Sequence, residues 1–306
     1  MEKIGILTYH RAYSYGAKLQ AYALATYLTS IGFEAEVIDY GNIGEEKLRK
    51  IGTKSLKDFI VTTLCYIASS IAEPQRIRHF DEFMDIIPHS PKHYDKANIA
   101  EANDKYDYFI TGSDQVWNVG WNEKIDYPFF LKFVPDEKKR IAYSASFGKS
   151  KLEDWEKKET KKLLERYSHI AMRENSGVKI LEDLGINDGI QVLDPTLLLN
   201  KEEWKNLISD KYKGKKYIFM YNINHNKKMD EYANKLAKKK NLKLIYVSYN
   251  FHDCFKKGKL KCNTKVENFL SLIANAEYVL TDSFHCTAYS INFNKQVVVA
   301  YPEKFS

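Results

Sequence analysis

The sequence predicts an α/β fold made of two Rossmann-like domains, and three observations support this prediction. Short apolar runs typical of buried strands alternate with helical patterns along the chain. The chain opens as strand, helix and strand, which favours a parallel, doubly wound sheet. The same alternation starts again after Pro195, in a chain whose 306 residues exceed the usual size of a single core. We therefore expect an N-terminal domain over residues 1–199 and a C-terminal domain over residues 200–306.

The first domain is predicted to begin with an apolar strand at residues 4–8. A polar loop at 10–16 leads into a helix at 17–31, and a second strand spans 33–40. No G-x-G-x-x-G follows the first strand, so the loop lacks a dinucleotide fingerprint and would serve another ligand. The remaining strands of this domain are predicted at residues 106–111, 139–144, 170–172 and 191–193.

A helical insertion is predicted at about residues 45–100, between the second and third strands. Basic side chains precede its apolar stretch at 59–72, which is shorter than the ~20 residues that span a bilayer. One interpretation is a helix that lies in the membrane interface near lipid-linked sugars. The other is a helix that packs on its own domain.

The second domain is predicted to begin with a helix at Lys201, which Asn200 is placed to cap. The alternation then continues with strands at residues 217–221, 243–247, 278–281 and 296–301, and with helices at 228–240, 266–274 and 284–293.

The composition is that of a soluble globular protein, with 44% hydrophobic and 28% charged residues. The net charge of +7 could indicate a polyanionic partner, but the basic residues are interspersed with acids in helical patterns, which is typical of solvated helix faces. We therefore expect no nucleic-acid partner. The four cysteines lack C-x-x-C spacing, and Met1 is followed directly by a strand pattern. These features predict reduced thiols and a cytoplasmic protein.

The segment T-G-S-D-Q-V-W-N at 111–118 concentrates polar side chains at the end of a predicted strand. Ligands of open α/β sheets bind outside the carboxyl ends of the strands. Asp114 is the candidate acid or base, because the adjacent indole could shield it from water. The alternative is a strand-to-helix turn capped by Asp114 or Ser113. The other candidate ligand-binding residues of this segment are Ser113, Gln115, Trp117 and Asn118.

Two further strand ends carry candidate anion-binding residues. Ser283 and His285 follow the strand at 278–281 and open a helix, whose N-terminus favours anions. His285 could hold an anion as imidazolium or deliver a proton, or it could be a capped structural histidine. Arg173 follows the strand at 170–172, where a guanidinium suits a carboxylate or phosphate. The alternative is an arginine paired with Glu174 or a surface acid.

These motifs, in this order, resemble the polysaccharide pyruvyl transferase family. The resemblance rests on G-S-D-Q-V-W-N at 112–118, Y-P-F-F-L at 127–131 and Y-S-A-S-F-G at 143–148. It continues through Y-G-A-K-L-Q at 15–20, M-R-E at 172–174, D-P-T at 194–196 and T-D-S-F-H-C-T at 281–287. It implies two Rossmann-like domains that face each other across a cleft, the GT-B-like arrangement. The chain ends at Ser306 before the closing helices usual in GT-B-like proteins, so a truncated chain and a short member both stay open.

The resemblance also implies a function: transfer of the pyruvyl group of phosphoenolpyruvate to two hydroxyls of a sugar, which forms a cyclic ketal during synthesis of a bacterial surface polysaccharide. The sequence has neither metal-ligand spacing nor a P-loop, so no metal or cofactor is expected beyond phosphoenolpyruvate as donor. The expected partners are that donor and a sugar acceptor, for which a lipid-linked oligosaccharide at the inner face of the membrane is one candidate. The alternatives are a GT-B glycosyltransferase that uses a nucleotide sugar and a catalytically silent sugar-binding relative.

For the function that the resemblance implies, we assign roles to individual residues. Arg173, His285 and Lys304 would clamp the donor anion, and His285 is also the candidate proton donor. Asp114 would deprotonate the attacking hydroxyl. The acceptor side would include Tyr15, Gly16 and Gln20. The sequence departs from the usual family pattern at Ser14, where members carry asparagine, and at Cys286, where they carry glycine.

Overall fold

The computed structural model describes residues 1–41, 72–122, 124–249 and 251–301. The described residues form two compact units, one of residues 1–41 and 84–199 and one of residues 72–83 and 200–301. Lys304 and residues 42–71 lie outside the described residues. The latter range includes nearly all of the apolar stretch of the predicted insertion, at residues 59–72.

The strands, in chain order, are β1 Lys3–Leu7, β2 Glu34–Val37, β3 Tyr108–Thr111, β4 Lys139–Ala145, β5 His169–Met172, β6 Ile190–Gln191, β7 Tyr217–Tyr221, β8 Lys243–Val247, β9 Lys259–Lys261, β10 Tyr278–Thr281 and β11 Gln296–Val299. The α-helices are α1 Tyr15–Ser30, α2 over residues 72–84, α3 Val119–Asn122, α4 Asp154–Leu164, α5 Asn175–Asp183, α6 Lys201–Trp204, α7 Lys227–Lys240, α8 Val266–Ala274 and α9 Phe284–Asn292.

The described strands of the first unit form one parallel sheet in the order β2-β1-β3-β4-β5-β6. Ile6 of β1 pairs with Val37 on one side and with Ile110 on the other, and all of β1 after Lys3 is buried. Apolar runs without alternation are expected of strands covered on both faces. This arrangement confirms the predicted parallel, doubly wound sheet.

The described strands of the second unit form a parallel sheet in the order β11-β10-β7-β8-β9. β7, β8 and β10 have the predicted bounds, and α8 does too. The predicted cap is also confirmed, because the Asn200 side chain accepts the backbone N–H groups of Glu202 and Glu203. The last strand ends at Val299 rather than residue 301, and β9 was not predicted, because its K-L-K sequence contains no apolar run.

The described part of the predicted insertion contains α2, and this α-helix ends at residue 84. Residues 72–83 of α2 group with the second unit. Glu82 accepts a hydrogen bond from Lys265 at 2.7 Å, and the Arg76 guanidinium lies 4.8 Å from the centre of the Tyr249 ring. The sequence had placed this whole insertion in the N-terminal domain.

Candidate active site

The first sheet reverses its strand order between β1 and β3, because β2 lies on one side of β1 and β3 on the other. Open α/β sheets bind ligands outside the carboxyl ends of their strands at such a switch point. Here the Thr8 hydroxyl donates to the Ser113 carbonyl at 2.6 Å, which ties the two strand ends together. A Cβ on Gly112 would lie 3.0 Å from the Thr8 Cβ. Glycine at position 112 therefore allows this close approach.

Asp114 occupies the turn after β3 with a left-handed backbone, φ 83°. Its carboxylate accepts the Gln115 backbone N–H at 2.8 Å, and its side chain is 22% exposed. Ser144, in the neighbouring β4, is also left-handed, φ 59°, and Asp114 forms a parallel bridge with Ala145. The turn thus holds one accessible carboxylate at the carboxyl edge of the sheet.

Gln115 and Asn118 form the rim of the same turn. The Asn118 side-chain amide donates to Gln115 Oε1 at 2.8 Å, and both side chains lie against Gly148. A Cβ at Gly148, where φ is +65°, would lie 2.5 Å from Gln115 Oε1. The rim therefore depends on a glycine contributed by the Y-S-A-S-F-G motif.

Trp117 lies in the core rather than at the rim. It is 1% exposed, stacks on Phe130 with ring centres 5.4 Å apart, and donates its indole N–H to the Phe129 carbonyl at 3.0 Å. Its ring therefore packs in the core and stabilises the turn after β3. We do not include Trp117 among the residues proposed to contact substrate. Phe129 and Phe130 come from the Y-P-F-F-L motif, and the rings of Phe147 and Tyr167 also pack against the indole.

We expect Trp117→Phe to lower the free energy of unfolding by about 1–3 kcal/mol, because it removes a buried hydrogen bond and leaves a cavity. Trp155→Phe is the matched control, because Trp155 is 60% exposed on α4. The control should change stability by less than about 0.5 kcal/mol. Urea unfolding measures both. Equal losses in the two variants would contradict the supporting role of Trp117.

Arg173 lies directly after β5 among carboxylates. Its Nε is 3.3 Å from Glu174, and its Nη1 is 3.9 Å from both Asp114 and Asp194. The side chain is 10% exposed. The structure thus brings together Asp114 and Arg173 from separate motifs. It also confirms the alternative pairing of Arg173 with Glu174. Because the contacts at 3.9 Å are long, an incoming carboxylate could replace them.

Asp194 was not predicted as a site residue. It is buried, accepts the Ser113 hydroxyl at 2.7 Å, and accepts both the backbone N–H and the hydroxyl of Thr196. A buried carboxylate is stable only when it is hydrogen-bonded or paired, and these contacts fix it beside Arg173. Ser113 therefore connects the turn after β3 to Asp194. The D-P-T motif was the available signal, although no role had been given to its aspartate.

A second charged cluster lies after β1 and β2. Asp39 accepts hydrogen bonds from Arg11 at 2.5 Å, His10 at 3.0 Å and His93 at 3.1 Å. Burial alone would raise the pKa of Asp39, but the bonds from His10 and Arg11 outweigh it and lower that pKa. Burial lowers the pKa of His10, and its bond to Asp39 opposes that decrease. No periodic pattern in the sequence indicates this cluster, because its members come from three separate segments.

The residues predicted for the acceptor side are buried: Tyr15 is 1% exposed, and Gly16 and Gln20 are also inaccessible. Gln20 donates its amide to the Thr8 hydroxyl at 2.8 Å and to the Ala17 carbonyl at 3.0 Å. Gln20 thereby positions Thr8, which in turn holds Ser113. A direct contact of these residues with a sugar stays a prediction.

The second sheet has its own switch point, between β7 and β10. The Ser283 hydroxyl caps α9 by accepting the Cys286 backbone N–H at 3.3 Å, and His285 is partly exposed in the first turn. The Asp282 carboxylate accepts the backbone N–H groups of Ile223 and Asn224 at 2.7 and 2.8 Å. Ser283 and His285 thus lie at a helix N-terminus, as predicted. That His285 and Arg173 hold one anion stays a prediction.

Cys286 is buried in α9. Burial raises the pKa of its thiol to about 12. Its thiol is therefore neutral near pH 7 and adds no charge beside His285.

The fold and its two switch-point sites define an α/β protein of the GT-B class, and solved structures share this fold. UDP-GlcNAc 2-epimerase from Neisseria meningitidis, solved with UDP-GlcNAc, has a TM-score of 0.50 and 12% identity, with 98% of this chain and 82% of that chain covered. MnaA from S. aureus, solved with UDP, has a TM-score of 0.51 and 15% identity, with 98% of this chain and 79% of that chain covered. UDP-GlcNAc 2-epimerase from Methanocaldococcus jannaschii has a TM-score of 0.50 and 14% identity, with 98% of this chain and 83% of that chain covered.

The chain belongs to the polysaccharide pyruvyl transferase family, whose model matches residues 15–303. No curated protein matches the chain. Within residues 1–41, 72–122, 124–249 and 251–301, no helix is long and apolar enough to cross a membrane. The same ranges contain no group of three or more His, Cys, Asp or Glu side chains that could hold a metal ion.

Proposed function

We propose that this protein transfers the pyruvyl group of phosphoenolpyruvate to two hydroxyls of a sugar, forming a cyclic ketal in a bacterial surface polysaccharide. The observation that carries the proposal is the family match over residues 15–303, which contains Asp114, Arg173 and His285. Phosphoenolpyruvate is the only donor we assign, without a further cofactor. The proposed setting is the cytoplasm, at the inner face of the membrane if the acceptor is lipid-linked.

The proposed reaction needs an acid, a base and an anion clamp. The methylene carbon of phosphoenolpyruvate takes a proton, and its neighbouring carbon becomes oxocarbenium-like. A sugar hydroxyl attacks that carbon while a base removes the hydroxyl proton. The bond from that carbon to the phosphate oxygen then breaks and phosphate leaves. The second hydroxyl attacks the same carbon and closes the ring, and its proton passes to the phosphate. One donor and one diol therefore give one ketal and one phosphate.

Asp114 is the proposed base, because its partly exposed carboxylate stands at the carboxyl edge of the first sheet, fixed by the Gln115 backbone N–H. Arg173 is the proposed partner of the donor carboxylate, since its planar guanidinium can bind two oxygens at once. His285 is the proposed acid at the N-terminus of α9, with Ser283 beside it. Lys304 stays an expected part of the clamp.

The experiment is to incubate the protein with phosphoenolpyruvate and a panel of free and lipid-linked glycosides, measuring phosphate release and product mass. We expect phosphate release that depends on a glycoside, with a product heavier by one pyruvyl ketal. A matched set of incubations with UDP-sugars tests the glycosyltransferase alternative. We choose UDP-sugars because two of the structural neighbours were solved with UDP-GlcNAc or UDP. Glycosyl transfer from a UDP-sugar without ketal formation would overturn the proposal. A protein that binds glycosides but transfers nothing would be the silent relative.

A further inference from the structure

A pocket of about 150 Å³ lies beside β9, at the outer edge of the described strands of the second sheet. Its lining comes from β9 and the segment after it, from residues 211–212, and from the first turn of α8. All of these belong to the second unit. The volume exceeds the roughly 30 Å³ that one water occupies in the liquid, so the pocket can hold a small polyatomic group. The switch-point residues Ser283 and His285 do not line it.

The charge of this pocket is positive and poorly compensated. Lys211 and Lys261 line it, and Lys215 and Lys259 are close enough to act on Lys261 electrostatically. Burial lowers the pKa of Lys261, and these neighbouring lysines lower it further. In the described part of the chain, none of the four lysines forms an ion pair with an acid. By contrast, nearby Lys213 pairs with Asp210 at 3.4 Å.

The polar groups around the lysines are held in place. Asn268 Oδ1 accepts the Ser209 hydroxyl at 2.7 Å, and the Asn263 amide donates to Gln75 Oε1 at 2.9 Å. Thr264 and Tyr212 are buried in the wall. Since α8 begins directly after Lys265, the positive end of its dipole adds to the lysine charges. The walls are therefore ordered, and the charged groups converge on a concave surface.

A simpler reading is that Lys259 and Lys261 only protect an edge strand from pairing with another chain, which charged side chains on edge strands commonly do. That reading accounts for two lysines on the same face of β9. It does not account for Lys211, which comes from a segment before β7, or for the pocket that Lys211 and Lys261 share.

We propose that this lysine pocket binds a phosphate or diphosphate group, as a second anion site separate from the one proposed for the donor. Two unpaired ammonium groups recognise a multiply charged anion as point charges, without the planar geometry that a carboxylate would favour. Binding also relieves the mutual repulsion of the lysines. The group can belong to a soluble phosphate compound or to an anionic lipid headgroup. This proposal stands independently of the donor and the reaction proposed above.

The test compares the wild-type chain with Lys211→Gln/Lys261→Gln, and with Lys243→Gln as control, because Lys243 is an exposed lysine on the neighbouring strand. One arm titrates inorganic pyrophosphate by calorimetry at constant ionic strength. The other measures sedimentation with vesicles of phosphatidylcholine and phosphatidylglycerol, against phosphatidylcholine alone. We expect the double variant to bind roughly 10–100-fold more weakly, because it loses two charge-assisted hydrogen bonds and water replaces only part of their contribution.

If the double variant loses pyrophosphate binding but keeps vesicle binding, the result supports the site with a soluble ligand. If it loses vesicle binding but keeps pyrophosphate binding, the result supports the site with a lipid headgroup. Equal binding by all three proteins, or no binding in either arm, overturns the proposal. The single variant Lys261→Gln controls for a folding defect. It should show a smaller loss of binding than the double variant, with the melting temperature of the wild type. Ketal formation should be equal in all these proteins.

Discussion

Replacing Asp114 with asparagine is expected to lower turnover by at least ~10²-fold while leaving the apparent affinity for phosphoenolpyruvate nearly unchanged. Asparagine keeps the shape of the side chain and can still accept the Gln115 backbone N–H, but it cannot remove a proton. The loss should therefore fall on the chemical step. Steady-state kinetics with a soluble glycoside, varying the donor and the acceptor in turn, separate kcat from KM.

The matched control is Glu174→Gln. Glu174 is closer to Arg173 than Asp114 is, at 3.3 Å against 3.9 Å, but it is bound to the Ser146 hydroxyl. If Asp114 acts only by balancing the charge of Arg173, the two amide variants should lose similar amounts of turnover. If Asp114 is the base, Glu174→Gln should retain most of the turnover. Similar losses would therefore remove Asp114 from its proposed role.

The second large effect is expected at His285. His285→Gln keeps a hydrogen-bond donor but cannot deliver a proton, so turnover should fall by roughly 10²-fold or more if His285 is the acid. If His285 only holds the anion, the KM for phosphoenolpyruvate should rise instead. His225→Gln is the control, because His225 is an exposed histidine of the same unit, in the loop after β7. Unchanged turnover and KM in His285→Gln would leave it a structural residue.

Arg173→Lys completes this comparison. Lysine keeps the charge but loses the planar pair of donors that binds a carboxylate, so the KM for phosphoenolpyruvate should rise. An unchanged KM would mean that Arg173 serves mainly to hold Asp114, Glu174 and Asp194 in place. The donor contact would then have to lie elsewhere.

Most of the fold could be predicted because strand runs and helix caps are local signals. β7 and α8 have the predicted bounds, and Asn200 caps α6 as expected. β9 could not be found, because its three residues contain no apolar run and form a strand by pairing with β8. The grouping of residues 72–83 with the second unit also depends on distant contacts, such as Lys265 with Glu82, which no local pattern reveals.

The candidate site was predictable where a motif follows a strand. Asp114, Arg173 and Ser283 lie where the alternation placed them, at the carboxyl ends of β3, β5 and β10. Sequence reasoning could not tell which polar residues of a motif face inward. The indole of Trp117 packs in the core, and the buried Gln20 amide donates to the Thr8 hydroxyl. The cluster around Asp39 depends on residues far apart in the chain, so only the folded structure brings it together.

The left-handed backbone at Asp114 and Ser144 has an evolutionary consequence. That conformation costs most residues with a side chain roughly 1–2 kcal/mol and costs Asp less, whereas glycine adopts it freely. A lineage released from selection for catalysis would gain stability by acquiring glycine at either position. If Asp114 is the proposed base, a glycine in its place in a related chain would mark a protein that has kept the fold and lost that base.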